Sequence, residues 1–174
     1  MKHFLVVVDM QKDFVDGALG TPEAVAIVPA VCERIRSFDG EIIVTYDTHP
    51  DTYLATAEGK KLPVVHCVED TDGWQLDARV AEALAEKKYL ALKKPTFGST
   101  DLPFFVDSIA KEEDFDVTLI GLCTDICVVS NALLLKAHFP EMPISVVADC
   151  CAGVTPETHA AALTTMKMCQ IDVI

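Results

Sequence analysis

The sequence predicts one α/β domain, a three-layer sandwich in which a six-stranded parallel sheet lies between helices on both faces. Six short apolar runs are spread along the 174 residues, and continuous runs of this kind are typical of strands buried on both faces. Segments of helical periodicity separate the runs, which indicates βαβ units. Since no linker, repeat or low-complexity tract interrupts residues 1–174, we expect a single domain.

The strands follow from the apolar runs in chain order. The first run, Phe4–Val8, is rich in β-branched residues, whereas the third is weaker and the sixth ends the chain. The six predicted strand cores are residues 4–8, 42–46, 89–92, 117–120, 144–147 and 171–174.

Four helical segments are predicted between these strands. Pro29 suits the first turn of a helix, and Thr155 followed by Pro156 is a helix start signal. Apolar residues then recur at helical spacing in each segment. The four predicted helices cover residues 28–38, 76–84, 126–139 and 155–167.

Residues 47–74 contain no clear strand or long helix. Loops of this length in a compact domain are often functional, and in parallel sheets the chemistry gathers beyond the carboxyl ends of the strands. Several reactive side chains fall at such ends, namely Asp9, Asp47, Lys94, Cys123 and Cys127.

Composition narrows the class of protein. The net charge of −13 argues against nucleic-acid and anionic-membrane partners, and the apolar runs are too short to span a bilayer. The first residues lack the cleavage site of a signal peptide, so we expect a cytoplasmic protein. In that reducing compartment the seven cysteines should be mostly free thiols.

Asp9 and Lys94 are candidate catalytic residues because each lies just beyond a predicted strand. An acid at the tip of a buried strand is unfavourable unless it has a partner or a function. Taken singly, each has an ordinary alternative: Asp9 as a turn residue and Lys94 as a solvated lysine beside Lys93.

Cys127 is the candidate nucleophile. It is expected in the first turn of the helix that follows the fourth strand, where free N–H groups and the helix dipole favour a thiolate. The same N–H groups can stabilise an oxyanion. The alternative is an inert core thiol, with Thr124 or Asp125 serving only as the helix cap.

The long loop offers a candidate metal site. Asp47 and His49 are two residues apart and would point the same way on an extended segment, and Glu58 and His66 follow. This ligand set suits Zn²⁺ first, with Fe²⁺ or Mn²⁺ as alternatives. The alternative is that these four side chains are simply polar residues of a loop and bind no metal.

Together these segments resemble the isochorismatase-like cysteine hydrolases and, within them, the nicotinamidases. The resemblance runs from residue 4 to the C-terminus. It rests on Val8-Asp9-Met10-Gln11-Lys12-Asp13-Phe14, Asp47-Thr48-His49-Pro50, Leu62-Pro63-Val64-Val65-His66-Cys67, Lys94-Pro95-Thr96-Phe97 and Gly121-Leu122-Cys123-Thr124-Asp125-Ile126-Cys127-Val128.

The resemblance implies the strand order 3-2-1-4-5-6 and a catalytic triad of Asp9, Lys94 and Cys127. It also implies a cis bond between Leu122 and Cys123, which would turn the Cys123 N–H toward the site to form an oxyanion hole with the Cys127 N–H. A homo-oligomer is implied as well.

The same resemblance carries the metal site over to Asp47, His49 and His66. Many nicotinamidases have a further His soon after the Asp-x-His, but residues 50–55 contain none. Since some relatives use a later Glu, Glu58 is the predicted fourth ligand, with water as the alternative.

The implied activity is hydrolysis of nicotinamide through a thioester, with Phe14 and Trp74 as candidate ring contacts. One alternative is a metal-free relative acting on another small amide, carbamoyl compound or vinyl ether. A different class is a redox- or metal-sensing scaffold that uses Cys123 and Cys127 with Cys150 and Cys151.

Overall fold

All six predicted strands form in the computed structural model, which describes residues 1–174. They make one parallel sheet in the order β3-β2-β1-β4-β5-β6, so the predicted topology is confirmed. The strands are β1 Lys2–Val8, β2 Glu41–Asp47, β3 Tyr89–Lys94, β4 Phe115–Leu122, β5 Ile144–Ala152 and β6 Asp172–Val173.

Seven α-helices connect and flank the strands. They are α1 Lys12–Val15, α2 Pro22–Ser37, α3 Ala57–Lys61, α4 Ala78–Leu84, α5 Leu102–Ala110, α6 Val129–His138 and α7 Pro156–Met168. A π-helical turn, Thr124–Val128, leads directly into α6, and a short 3-10 turn, Tyr53–Ala55, precedes α3.

The start predicted at Pro29 is wrong, because α2 begins seven residues earlier at Pro22. The Thr21 hydroxyl accepts a hydrogen bond from the Ala24 N–H at 3.0 Å, and Pro22 occupies the first turn, where its missing N–H costs nothing. Pro29 therefore lies inside the helix.

Two hydrophobic cores lie on opposite faces of the sheet, which confirms the three-layer sandwich. Alternate residues of β1 pack into the two cores, because successive side chains of a strand point to opposite faces of the sheet. Leu5 and Val7 belong to one core, whereas Phe4, Val6 and Val8 belong to the other.

The carboxyl ends of β1 and β4 approach each other closely. Gly121 adopts φ +119°, and a Cβ at that position would lie 2.2 Å from the Val8 carbonyl oxygen, so only glycine fits there. One residue after β1, Asp9 has a left-handed φ of 48°, which aspartate tolerates better than most residues. The chain thus turns sharply where the candidate site begins.

No helix in the fold combines the length and the apolar character that crossing a bilayer requires.

Asp77 caps α4, and its replacement by alanine should destabilise the fold by about 1–2 kcal/mol. Its carboxylate accepts hydrogen bonds from the Arg79 backbone N–H at 2.9 Å and from the Arg79 guanidinium at 2.7 Å. Burial alone would raise the pKa of Asp77, but the bonds from Arg79 outweigh burial and lower it. Urea unfolding of both chains at pH 7 measures the loss.

The sign of the pH effect follows from that lowered pKa. Ionised Asp77 stabilises the fold above its unfolded pKa of about 4, and this contribution is lost as the pH falls through the folded pKa. The difference between wild type and Asp77→Ala should therefore shrink in acid. Asp101→Ala is the matched control, because Asp101 precedes α5 without capping it; an equal loss in both variants would contradict the capping role.

Candidate active site

Three side chains from distant parts of the chain meet at the carboxyl edge of the sheet. Asp9 follows β1, Lys94 ends β3, and Cys127 lies in the π-helical turn. The Lys94 Nζ lies 2.6 Å from Asp9 Oδ2 and 3.4 Å from Cys127 Sγ. Asp9 and Lys94 are fully buried and Cys127 is 4% exposed, so the structure brings the predicted triad together away from bulk water.

Each oxygen of the Asp9 carboxylate has its own partner. The Thr45 hydroxyl donates to Oδ1 at 2.6 Å. Oδ2 lies against the Lys94 ammonium but receives no well-aligned hydrogen bond. Burial raises the pKa of Asp9, and the charge of Lys94 opposes that rise. A carboxylate in this setting is suited to accept a proton.

Burial and neighbouring charges shift the pKa values of Lys94 and Cys127. Burial alone would lower the pKa of Lys94, but the charges of Asp9, Cys127 and Asp47 outweigh burial and raise it, so the ammonium is retained. Burial and the Asp9 charge raise the pKa of the Cys127 thiol far more than Lys94 lowers it. Burial and the carboxylate thus oppose the thiolate that the helix position favours, and the Lys94 ammonium is the group that supports it.

The turn that carries Cys127 has the predicted position but not the predicted caps. The bond between Leu122 and Cys123 is cis, as the resemblance implies. Thr124 Oγ1 pairs with His159 Nδ1 at 2.7 Å, and the Asp125 carboxylate accepts from the Val154 N–H at 3.2 Å. Capping by Thr124 or Asp125 is therefore wrong, because Thr124 bonds His159 on α7 and Asp125 bonds the loop between β5 and α7 instead.

The four predicted metal ligands converge beside the triad. Ligand atoms of Asp47, His49 and His66 lie within 4.8 Å of one another, and all three residues are buried. Asp47 Oδ2 is 2.9 Å from His49 Nε2 and 3.5 Å from His66 Nε2. Glu58 Oε1 lies 3.6 Å from the first imidazole nitrogen and 3.7 Å from the second.

This group fits a divalent metal by its chemistry as well as its geometry. His66 Nδ1 lies 2.8 Å from the Val64 carbonyl oxygen, an arrangement that fixes the ring with a proton on Nδ1 and turns Nε2 toward Asp47. Burial alone would raise the pKa of Asp47, but contacts with His49 and His66 and the charge of Lys94 lower it. Two imidazoles and two carboxylates are a ligand set suited to zinc or iron.

Gln11 and Asp13 position this group, although sequence reasoning assigned them no role. The fully buried Gln11 amide accepts from the Asp47 N–H at 2.8 Å and donates to the Asp47 carbonyl at 2.9 Å. Asp13 Oδ2 accepts from the Cys67 N–H at 2.8 Å, next to His66. The available signal was their place in the segment that begins the resemblance.

The two candidate ring contacts lie in different places. Phe14 packs against His66, with ring centroids 5.4 Å apart, and lines an apolar cavity of about 200 Å³ together with Cys123. Trp74 instead packs on Tyr46, and its indole N–H donates to Thr48 Oγ1 at 2.9 Å. The structure therefore places Phe14, and not Trp74, against both the metal group and the nucleophile turn.

Comparison with known proteins gives consistent matches over the whole chain. Residues 3–174 match the family model described as the isochorismatase domain. The chain is 25% identical over 185 residues to the nicotinamidase/pyrazinamidase of Mycobacterium tuberculosis, covering 98% of this chain and 97% of that protein.

Two solved structures resemble this fold closely. The nicotinamidase/pyrazinamidase of Bacillus subtilis superposes with a TM-score of 0.83 at 25% identity, covering 99% of each chain. The pyrazinamidase of Pyrococcus horikoshii, solved in complex with zinc, has a TM-score of 0.80 at 28% identity, covering 100% of this chain and 99% of that one.

Proposed function

This chain belongs to the isochorismatase domain family, and from that premise we propose that it is a metal-assisted cysteine amidohydrolase that converts nicotinamide and water to nicotinate and ammonia. The observation that carries the proposal is the buried contact of one ammonium, on Lys94, with both the Asp9 carboxylate and Cys127 Sγ. Acid, amine and thiol in mutual reach are the parts that a nucleophilic hydrolase needs.

The first half of the reaction forms a thioester. Asp9 takes the proton of Cys127, and the sulfur attacks the amide carbon while the nearby Lys94 ammonium offsets the negative charge that develops. The N–H groups of Cys123 and Cys127 bind the oxyanion, a contribution of about 3–4 kcal/mol per donor in comparable sites. Protonated Asp9 then gives its proton to the departing ammonia.

The second half releases the acid. Asp9, again a carboxylate, removes a proton from water as that water attacks the thioester carbon, and the Cys127 sulfur leaves and recovers its proton from Asp9. Asp47, His49, His66 and Glu58 would hold a divalent metal, with zinc the first choice. Bound there, a metal would supply a Lewis acid for the ring nitrogen of the substrate.

Rates of ammonia release from a set of related amides test which substrate the protein hydrolyses. Nicotinamide should give the highest kcat/KM, and benzamide, which has the same ring size but no ring nitrogen, should be slower by about tenfold or more because it loses one specific contact. Pyrazinamide should react, since it keeps the nitrogen. Equal rates for nicotinamide and benzamide, or turnover only of carbamoyl compounds, would contradict the proposal.

A thiol-sensing role has less support. The pKa values of Cys123 and Cys151 are raised to about 12, mainly by burial, and burial likewise raises that of Cys150. Sensor thiols instead need low pKa values and exposure. A homo-oligomer and a cytoplasmic location stay predictions from the sequence.

A further inference from the structure

We propose that Asn131 is a positioning residue that holds the Lys94 ammonium against Cys127 by tying the loop after β3 to the helix that carries the nucleophile. The inference rests on the proposed function only in treating Lys94 and Cys127 as catalytic. It concerns a residue one helical turn beyond Cys127 whose side chain faces neither the metal group nor the apolar cavity.

The Asn131 side chain makes three hydrogen bonds, all to backbone. Its Oδ1 accepts from the Ser99 N–H at 2.9 Å. Its Nδ2 donates to the Phe97 carbonyl at 3.3 Å and to the Cys127 carbonyl at 2.8 Å. One fully buried amide thus connects the loop and the nucleophile itself.

The loop held by Asn131 sets the position of the Lys94 ammonium. Lys94 ends β3, and its Nζ donates to the Thr96 carbonyl at 3.1 Å as well as contacting Cys127 Sγ. Residues 95–98 have no regular helix or strand, and Phe97 is 46% exposed. Without an anchor, such a segment would be free to move, and the carbonyl that binds the ammonium would move with it.

No other side-chain hydrogen bond joins this loop to the helix. Thr96 Oγ1 bonds only within the loop, to the Gly98 carbonyl, and the Ser99 hydroxyl accepts from the Asp101 N–H. The remaining contact is packing: a Cβ at Gly98 would lie 2.7 Å from Leu134 Cδ1. Glycine lets the loop lie close against the helix, and Asn131 fixes where it lies along the helix.

A buried amide at this place is better explained by positioning than by packing. An apolar residue of similar size would fill the volume without the unfavourable desolvation of an amide, and the bonds run to two separate segments instead of along one helix. Because nucleophilic attack needs reacting groups aligned closely, a small shift of Lys94 should weaken catalysis more than binding.

The test uses Asn131→Leu, which keeps the branched shape and the number of side-chain heavy atoms while removing all three hydrogen bonds. The readout is the pH dependence of iodoacetamide labelling at Cys127, followed by mass spectrometry of its peptide. Losing the fixed ammonium should raise the pH midpoint and lower the rate at pH 7 by about tenfold, because only the thiolate reacts. In the proposed reaction, kcat should fall by about 10- to 100-fold with a much smaller change in KM.

Ser130→Ala is the matched control. Its hydroxyl donates to the Ile126 carbonyl in the turn before α6 at 2.6 Å. Ser130 packs against Gly98 of the loop only through its Cβ and backbone, which alanine keeps, so labelling and kcat should stay near wild type. A wild-type labelling profile in folded Asn131→Leu would overturn the proposal. So would a chain that no longer folds, since Asn131 would then support the fold as a whole.

The labelling experiment separates this inference from the proposed function. A shifted Cys127 profile in a chain that does not hydrolyse nicotinamide would support the positioning role and reject the substrate. Nicotinamide turnover by the wild type, together with an unchanged Cys127 labelling profile in Asn131→Leu, would support the substrate and reject the positioning role.

Discussion

Replacing Cys127 by alanine should abolish ammonia release from nicotinamide, lowering kcat by about 10⁴-fold or more. The substitution removes the only sulfur within reach of the Lys94 ammonium, which lies 3.4 Å away, so no thioester can form. Asp9 and Lys94 would remain as a buried ion pair 2.6 Å apart, and the fold should persist. Steady-state ammonia assays with far-UV circular dichroism measure both outcomes.

Cys151→Ala is the matched control for this loss. Both cysteines are 4% exposed and belong to the same hydrophobic core, and each replacement removes one sulfur atom. Cys151 lies on β5, paired with Gly121, and takes no part in the triad. Normal turnover by Cys127→Ala, or equal loss in both variants, would refute Cys127 as the nucleophile.

Replacing His49 by alanine should remove the bound metal. The wild-type protein, purified without chelators, should carry roughly one divalent ion per chain. The variant loses a ligand that lies 2.9 Å from Asp47 Oδ2. Loss of a residue that only supports a ligand lowers metal affinity by up to about 100-fold, so loss of the ligand itself should lower it by more. Elemental analysis after gel filtration measures the content, and nicotinamide turnover should fall in parallel.

Thermal melting gives a second readout of the metal. A metal that binds only the folded chain raises the melting temperature, so a chelator should lower it in wild type and leave His49→Ala unchanged. His138→Ala, an exposed histidine on α6, is the control and should behave as wild type. Metal retained by His49→Ala would refute the site.

Glu58 should contribute less than the histidines to that affinity. Its side chain is 21% exposed, and its oxygen lies 3.6 Å from His49 Nε2, farther than Asp47. Glu58→Gln should therefore weaken metal binding and not abolish it. Complete loss would make Glu58 an essential ligand, whereas no change would assign its place to water.

The strands were predictable because their signal is local. An apolar run such as Phe4–Val8 indicates a strand buried on both faces, and the run can be recognised without knowledge of the rest of the chain. Helix starts were less secure. Thr21 and Pro22 form the same signal that identified α7 at Thr155 and Pro156. The predicted start of α2 was nevertheless placed at Pro29, because apolar residues recur at helical spacing after it.

The short helix α5, Leu102–Ala110, was not predicted. It has Pro103 in its first turn, which is a start signal. However, its nine residues are few for a periodic pattern, and Phe104 is 61% exposed. A helix so short forms mainly through packing against the rest of the fold, which the local sequence does not record.

The sequence by itself determined the fold class, the strand positions and the identity of the reactive residues, because buried strands and strand-end chemistry leave their mark within a few neighbouring residues. Only the tertiary structure decided which groups meet and how they are charged. The raised pKa of Cys127, the ion pair of Asp9 with Lys94 and the tether through Asn131 depend on burial and on atoms 30 or more residues apart. Electrostatic energies in a dry interior vary with ångström-scale distances, and no local pattern contains those distances.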